Sequence, residues 1–263
     1  MLTLKNVSKT FYPGTANEKK ALSHFSLHLD PGDFATIIGS NGAGKTTLFN
    51  AIAGVWLTDE GKITIDGEDV TFMSETKRAR MIGRIFQNPM KGSSPSLTIE
   101  ENLAMAYGSG HHLLSPAISR KDEQFFRETL ARLEMGLEDR MKVKMGTLSG
   151  GQRQAVTLLM ATLVTPKILL LDEHTAALDP LTAEKVLAIT KEIVESRRIT
   201  TLMITHNIAS SLEMGNRTLL LDDGAIALDL QGDERDALDV EGLLALYRKQ
   251  KGQALDNDRI LLS

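Results

Sequence analysis

The sequence contains no cysteine, which excludes a disulfide framework, a thiolate metal site and a cysteine nucleophile. It also lacks long apolar runs: no stretch approaches the roughly 20 apolar residues that cross a bilayer. The first ten residues interleave polar and apolar side chains, which is not the pattern of a secretory signal. We therefore expect a cytosolic chain whose relation to any membrane comes through a partner.

Positive charge is not in excess either. Lys and Arg number 30 and Asp and Glu number 34, a net charge of −4 that argues against a strongly basic nucleic-acid binder. Hydrophobic residues make up 42% and charged residues 24%, the balance of an ordinary globular protein rather than a disordered one. At roughly 150 residues per domain, the 263 residues allow one large domain or two small ones.

Strand-like and helix-like segments alternate along most of the chain. Residues 34–38 and 168–171 are apolar runs typical of buried strands, and 46–54 has a helical pattern. Strands that alternate with helices predict an α/β fold with a mostly parallel sheet covered on both faces. The mixed alternation at the N-terminus predicts an edge strand near Leu2 and Leu4, and polar residues 13–20 predict a loop.

A glycine-rich loop follows the first buried strand and precedes the helix, with the spacing G-x-x-x-x-G-K-T. Glycines let the backbone curl so that N–H groups point at phosphate oxygens, and the helix presents its positive end to the same anion. Lys45 is predicted to reach the β- and γ-phosphates, and the Thr46 hydroxyl to bind Mg²⁺. The alternative is a glycine-rich turn that matches by chance. The predicted nucleotide-binding residues of this segment are Gly39, Ser40, Asn41, Gly42, Ala43, Gly44, Lys45, Thr46 and Thr47.

Two carboxylates end the later apolar strand. In α/β sheets ligands bind at the carboxyl ends of strands, so Asp172 is placed to hold Mg²⁺. Glu173 is then the predicted general base for an attacking water. The alternative is a pair of solvated residues, which the phosphate loop upstream disfavours.

The segment LSGGQRQ predicts a second anion site. Ser149 is followed by Gly150 and Gly151 at the start of a helix, which offers free N–H groups and a hydroxyl. One active site does not need a second anion site so far along the chain. The loop makes sense if it covers the γ-phosphate of ATP held by another subunit.

With these motifs in this order, the chain resembles the ATP-binding cassette (ABC) family over residues 1–230. The resemblance implies that Gln87 senses Mg²⁺ and the γ-phosphate, that Asp179 belongs to the D-loop and that His206 contacts the γ-phosphate. Phe11 resembles the aromatic residue that stacks on adenine, with Tyr12 the neighbouring candidate. Each of these residues also has an alternative without a role in nucleotide binding. Gln87 would then be a surface glutamine, His206 a histidine at the start of a helix, and Phe11 a core phenylalanine.

Together, the motifs and the resemblance imply a catalytic set of Glu173, His206, Gln87 and Lys45. They also imply Mg²⁺ ligands at Thr46, Gln87 and Asp172. Two departures from the family pattern are visible. His174 stands where proline is usual, and its ring either alters the acidity of the preceding carboxylate or points away from it. Asn88 follows the glutamine where an acidic residue is frequent.

The resemblance implies a P-loop NTPase (RecA-like) core, an antiparallel β subdomain and an inserted α-helical subdomain. The expected cassette is 1–230, with the helical insert at about 88–150 and a C-terminal helical extension at 231–263. In that extension Val240, Leu243 and Tyr247 lie at helical spacing. They predict either packing on their own domain or a regulatory or dimer contact.

The function implied by the resemblance is an ATP-binding and hydrolysing subunit that dimerises around two ATP molecules and drives a separate multi-span permease. The expected cargo is a small solute such as an amino acid, delivered by a solute-binding protein. The chain would then be cytoplasmic and attached to the membrane through the permease. An alternative is a soluble family member that assembles protein complexes or iron–sulfur clusters. A nucleic-acid role is disfavoured by the net charge, the single cassette and the absence of a long coiled-coil insertion.

Overall fold

A computed structural model of the chain describes residues 1–108 and 118–251. The strands are β1 (Leu2–Phe11), β2 (Lys19–Leu29), β3 (Phe34–Gly39), β4 (Glu60–Ile65), β5 (Glu68–Asp69), β6 (Ile82–Ile85), β7 (Ile168–Asp172), β8 (Thr200–Ile204), β9 (Arg217–Asp222) and β10 (Ala225–Gln231). The helices are α1 (Lys45–Ala53), α2 (Glu75–Arg78), α3 (Ile99–Tyr107), α4 (Arg120–Ala131), α5 (Gly150–Thr162), α6 (Pro180–Arg197), α7 (Ile208–Glu213), α8 (Gly232–Asp236) and α9 (Val240–Lys251). No helix in the described ranges is both long and apolar enough to cross a lipid bilayer.

The chain divides into two compact units. The first comprises Met1–Gly83, Lys167–Glu173 and Arg198–Ser263, of which residues 252–263 are not described. The second comprises Arg84–Pro166 and His174–Arg197. It contains α3 to α6 and two short 3₁₀ turns. Residues 88–150, the predicted helical insert, belong to this unit. The predicted bounds of the insert and the division at residue 230 stay predictions.

The first unit is built on two sheets. A mixed sheet has the strand order β10-β9-β3-β8-β7-β6, with β3 parallel to β8 and β9, and β7 parallel to β8. β3 and β8 are buried along their whole length, which explains their continuous apolar runs. A second, antiparallel sheet has the order β2-β1-β4-β5. The predicted α/β class with a mostly parallel sheet is confirmed.

The expected edge position of β1 is wrong. β1 lies between β2 and β4, and Leu2, Leu4 and Val7 are all buried. The alternation of apolar and polar residues breaks because the register shifts between Leu4 and Val7, where Asn6 adopts a φ of +49°. A β-bulge re-aims the residues that follow it. The mixed pattern therefore comes from a bulge within a central strand.

The C-terminal helix α9 packs on its own unit. Leu243 and Tyr247 are 1% and 2% exposed, and they pack in one apolar cluster with Ile38, Ile208 and Leu220. Ile38 immediately precedes the glycine-rich loop and Ile208 begins α7. Packing on the parent domain is therefore the alternative that the structure favours. The last residues of the predicted extension, 252–263, lie outside the described part.

A buried arginine holds the far end of α1. Arg78 is 1% exposed, and its guanidinium donates to the carbonyl oxygens of Ala51, Ile52, Met73 and Thr71 at 2.7 to 2.9 Å. Two of these carbonyls belong to the last turn of α1, where a cation also opposes the negative end of the helix dipole. The arginine therefore ties the helix that follows the phosphate loop to the segment 71–78.

Replacing this arginine should destabilise the fold. In Arg78→Met the buried carbonyls lose their donor, so we expect the free energy of unfolding to fall by on the order of 3 kcal/mol. Urea denaturation without nucleotide, followed by circular dichroism, measures it. Arg80→Met is the matched control, because Arg80 lies two residues after Arg78 and is exposed, so that its loss should cost less than about 0.5 kcal/mol. Equal midpoints for the two variants would contradict this role of Arg78.

Candidate functional site

The glycine-rich loop joins β3 to α1 in the geometry that phosphate binding needs. Gly44 has a φ of +100°, and a Cβ there would overlap the carbonyl oxygen of Ala21, so no larger residue fits. α1 begins without a side-chain cap and without an acidic residue in its first turn. Its leading N–H groups and its positive end therefore face the loop with no carboxylate of the helix to compete with an anion.

Lys45 lies folded under this loop. Its Nζ donates to the carbonyl oxygens of Gly39 at 2.6 Å and Ser40 at 3.1 Å, and the residue is 6% exposed. Burial lowers the pKa of Lys45, and the negative charges of Glu173 and Asp172 act in the opposite direction. The ammonium is thus held near two carboxylates at one end of the loop.

Glu173 and His206 are brought together by neighbouring parallel strands. Asp172 at the end of β7 pairs in register with Ile204 at the end of β8. The next residue, Glu173, has a φ of +47° and donates its backbone N–H to Ile204. Its Oε1 lies 2.5 Å from Nε2 of His206, so the imidazole can donate a hydrogen bond to the carboxylate. The structure therefore joins two residues that the sequence places 33 positions apart.

One cleft of about 240 Å³ collects most of the predicted residues of the first unit. Its lining residues are Phe11, Lys19, Ala21, Asn41, Gly42, Gly44, Lys45, Thr46, Thr47 and Glu173. Phe11 lies at its edge, in an edge-to-face contact with Trp56 at 5.6 Å between ring centroids. Tyr12 is 69% exposed and does not line the cleft. Of the two aromatic candidates, Phe11 is the better placed.

The predicted second anion site belongs to the second unit. Ser149 caps α5: its Oγ accepts from Gln152 N and its own N–H donates to the Gln152 side chain, both at 3.3 Å. The hydroxyl proton is still available to a ligand, since a hydroxyl both donates and accepts. A Cβ on Gly151 would overlap the methyl group of Thr182. The glycine is therefore also required for the close approach of α5 and α6.

The two remaining predicted residues of this unit are Gln87 and Asp179. Asp179 Oδ1 accepts the N–H of Thr182 at 3.1 Å, and hydrogen bonds from Thr182 lower the pKa of its carboxyl. Gln87 follows β6 and is exposed, next to Asn88, which caps a 3₁₀ turn. The roles of Gln87 and Asp179 toward a nucleotide stay predictions.

Comparison with known protein families and proteins identifies the family to which this chain belongs. The family model described as ABC transporter matches residues 22–176. The chain belongs to the ABC transporter family. The tyrosine transport ATP-binding protein of Clostridioides difficile is 40% identical over 247 residues, which cover 94% of this chain and 98% of that protein. The methionine import ATP-binding protein MetN of Escherichia coli is 37% identical over 211 residues, 79% of this chain and 59% of that protein.

Solved ABC cassettes share the fold. The dimeric post-hydrolysis state of the cassette MJ0796, bound to ADP and phosphate, superposes with a TM-score of 0.73 at 29% identity, over 88% of this chain and 98% of that one. The ADP conformation of the cassette MJ1267 gives 0.75 at 26% identity, over 94% and 98%. The P-loop NTPase fold predicted from the resemblance is thus confirmed. This ABC protein is an ATP-binding and ATP-hydrolysing subunit of a transporter.

His174, the departure from the family pattern, points into the helical unit. The residue is 3% exposed and its Nε2 lies 3.1 Å from Oγ1 of Thr190 in α6. Burial lowers the pKa of His174 to about 4, so the ring is neutral at neutral pH. Of the two alternatives for this residue, the structure supports a ring turned toward α6.

The sequence pattern missed Lys19 and Ala21 as lining residues of the ATPase cleft. Both lie on β2, and the polar residues around Lys19 predicted a loop. No local signal separates Lys19 from its neighbour Lys20, because both are lysines in a charged stretch. Only the pairing of β2 with β1 places Lys19 at the cleft.

Proposed function

We propose that this ABC protein powers the uptake of a small amino-acid-like solute. The observation that carries the proposal is the cleft in which the phosphate loop, Lys45 and Glu173 meet. The solute class is supported by relatives whose names state tyrosine transport and methionine import. Because the chain spans about three-fifths of the methionine import protein, the activity of that whole protein comes to this chain only as part of the proposal.

In the proposed reaction Glu173 accepts a proton from the attacking water, and His206 orients the γ-phosphate. Glu173 lines the cleft and contacts His206, which keeps the two groups within reach of one reacting centre. Phe11 stacks on the adenine ring, since it lines the cleft while Tyr12 does not. Lys45 binds the β- and γ-phosphates.

Magnesium fits the oxygen donors of the site. Thr46 lines the cleft, and the negative charge of Asp172 acts on Lys45, which lines the same cleft. Hydroxyl and carboxylate oxygens are ligands that Mg²⁺ prefers, with Gln87 as the proposed third protein ligand. When bound, the ion neutralises charge on the β- and γ-phosphates.

A second copy of the chain completes the proposed site. Ser149, Gly150, Gly151 and Asp179 of one subunit would act on the ATP held by the phosphate loop of the other. The support is the free hydroxyl proton of Ser149 at the start of α5, together with the dimeric state named for MJ0796. Loss of the γ-phosphate would then release the closed dimer.

The proposed membrane partner is a separate multi-span permease, which would hold this chain at the cytoplasmic face. Its docking surface would lie on the helical unit, where Met90 and Met105 are 42% and 65% exposed. A solute-binding protein outside the membrane is proposed as the third component.

Co-purification tests the transport proposal. The tagged chain, isolated from its host in mild detergent, should retain a multi-span membrane protein. The complex in liposomes should then take up tyrosine or methionine only with ATP, and a Lys45→Ala complex provides the inactive control. A complex that stays soluble without detergent and holds only cytosolic proteins would instead support the assembly-factor alternative.

A further inference from the structure

Lys19 lies beside the phosphate loop, although it is far from the loop in sequence. In the antiparallel pairing of β1 and β2, Lys19 is the direct partner of Phe11. Its Nζ approaches the loop so closely that a Cβ built on Gly42 would lie 3.2 Å from it. Lys19 therefore joins the aromatic edge of the cleft to the middle of the loop.

The next residue, Lys20, points elsewhere. Side chains alternate between the two faces of a strand, and Lys20 pairs with Thr10 instead of Phe11. Lys20 lines a separate depression that also contains His24 and Asp59. Of these two adjacent lysines, Lys19 lines the nucleotide cleft and Lys20 does not.

The ammonium of Lys19 is also available to a ligand. Other lysines of this unit form ion pairs, such as Lys9 with Asp59 at 2.7 Å and Lys62 with Asp69 at 3.1 Å. Within residues 1–108 and 118–251, no carboxylate lies within ion-pair distance of Lys19. An unpaired cation at the wall of a phosphate-binding cleft favours an anionic partner.

We propose that Lys19 binds the α- and β-phosphates of the nucleotide, a step that rests on the proposed ATP site. Lys45 lies at the end of the loop near Glu173 and Asp172, where the γ-phosphate reacts. Lys19 lies toward Phe11, at the end that would hold the base, so its ammonium faces the phosphates nearest the ribose. ATP and ADP both carry these phosphates. Lys19 therefore strengthens the binding of both nucleotides equally and contributes nothing specific to the chemical step.

Nucleotide affinity measured on Lys19→Met and Lys20→Met tests the proposal. The single tryptophan, Trp56, contacts Phe11 and provides a fluorescence signal for titration with ATP, ADP and adenosine. We expect Lys19→Met to weaken ATP and ADP binding by the same factor, about 3- to 10-fold. Adenosine affinity should not change, and Lys19→Arg should keep most of the affinity because it keeps the charge. Lys20→Met should match the wild type.

Three results would overturn the assignment. Unchanged affinity in Lys19→Met would show that the lysine is only a surface residue. A lower affinity for ATP without a lower affinity for ADP would mean that Lys19 contacts the γ-phosphate. An equal loss of adenosine affinity would mean that Lys19 contacts the adenosine part of the nucleotide. Lys45→Ala separates this failure from failure of the ATP site itself. If Lys45→Ala weakens ATP binding by about 10-fold or more while Lys19→Met leaves it unchanged, the ATP site stands and only the role of Lys19 is lost.

Discussion

Replacing Glu173 with glutamine is expected to lower ATP turnover by about 100- to 10,000-fold, the usual contribution of a general base. Glutamine keeps the shape and the hydrogen-bonding oxygen of the side chain, but it cannot take a proton from water. ATP affinity should therefore stay within about twofold of the wild type, the range of a neutral substitution. A protein that binds ATP without splitting it should accumulate as the ATP-bound dimer.

The surroundings of Glu173 make glutamine a clean probe. The backbone there has a φ of +47° and donates to Ile204, a conformation that depends on the ends of β7 and β8 rather than on the carboxylate. The side-chain oxygen of glutamine can still accept a hydrogen bond from His206, whose ring lies 2.5 Å from the glutamate. The substitution thus removes proton acceptance and leaves the packing of the site in place.

Three measurements decide the matter. Phosphate release gives the turnover, Trp56 fluorescence gives the ATP affinity, and size-exclusion chromatography with and without ATP gives the dimer fraction. The matched control is Glu68→Gln, since Glu68 is an exposed glutamate of β5 in the same unit, and its turnover should equal that of the wild type. Undiminished turnover in Glu173→Gln would remove Glu173 from the role of base.

Residues whose chemistry depends on their immediate neighbours could be predicted from the sequence. The phosphate loop needs a buried strand before it and a helix after it, and 34–38 and 46–54 carry these patterns within one short segment. The structure has β3 at Phe34–Gly39 and α1 at Lys45–Ala53, within one residue of the prediction. The same holds for Asp172 and Glu173, because the four apolar residues 168–171 lead directly to this pair of carboxylates.

Residues whose position depends on distant partners could not be predicted. Lys19 meets Gly42 only because β2 folds back along β1, and Arg78 meets the end of α1 across more than 20 residues. The central position of β1 was hidden by a bulge at Asn6, since one extra residue breaks the alternation that sequence reasoning uses. In each case the missing information is a pairing between segments, which single-sequence periodicity does not contain.

Replacing Lys45 with alanine should weaken the binding of the nucleotide itself. The Nζ of Lys45 already donates to two loop carbonyls, at Gly39 and Ser40, so the ammonium is held beneath the loop before any ligand arrives. A bound phosphate would gain a charge-assisted hydrogen bond from a group that is mostly removed from water. Alanine removes both the cation and the support of the loop.

We therefore expect Lys45→Ala to weaken ATP binding by about 10- to 150-fold, the value of a hydrogen bond to a charged group. Because a ligand that binds only the folded state raises its melting temperature, a concentration of ATP that saturates the wild type should raise the melting temperature of the variant clearly less than that of the wild type. Lys62→Ala is the control, since Lys62 pairs with Asp69 on the surface and should respond to ATP like the wild type. ATP affinity equal to the wild type in Lys45→Ala would mean that the loop binds phosphate through its backbone N–H groups and the α1 dipole alone. The lysine would then have to act only on the γ-phosphate during hydrolysis.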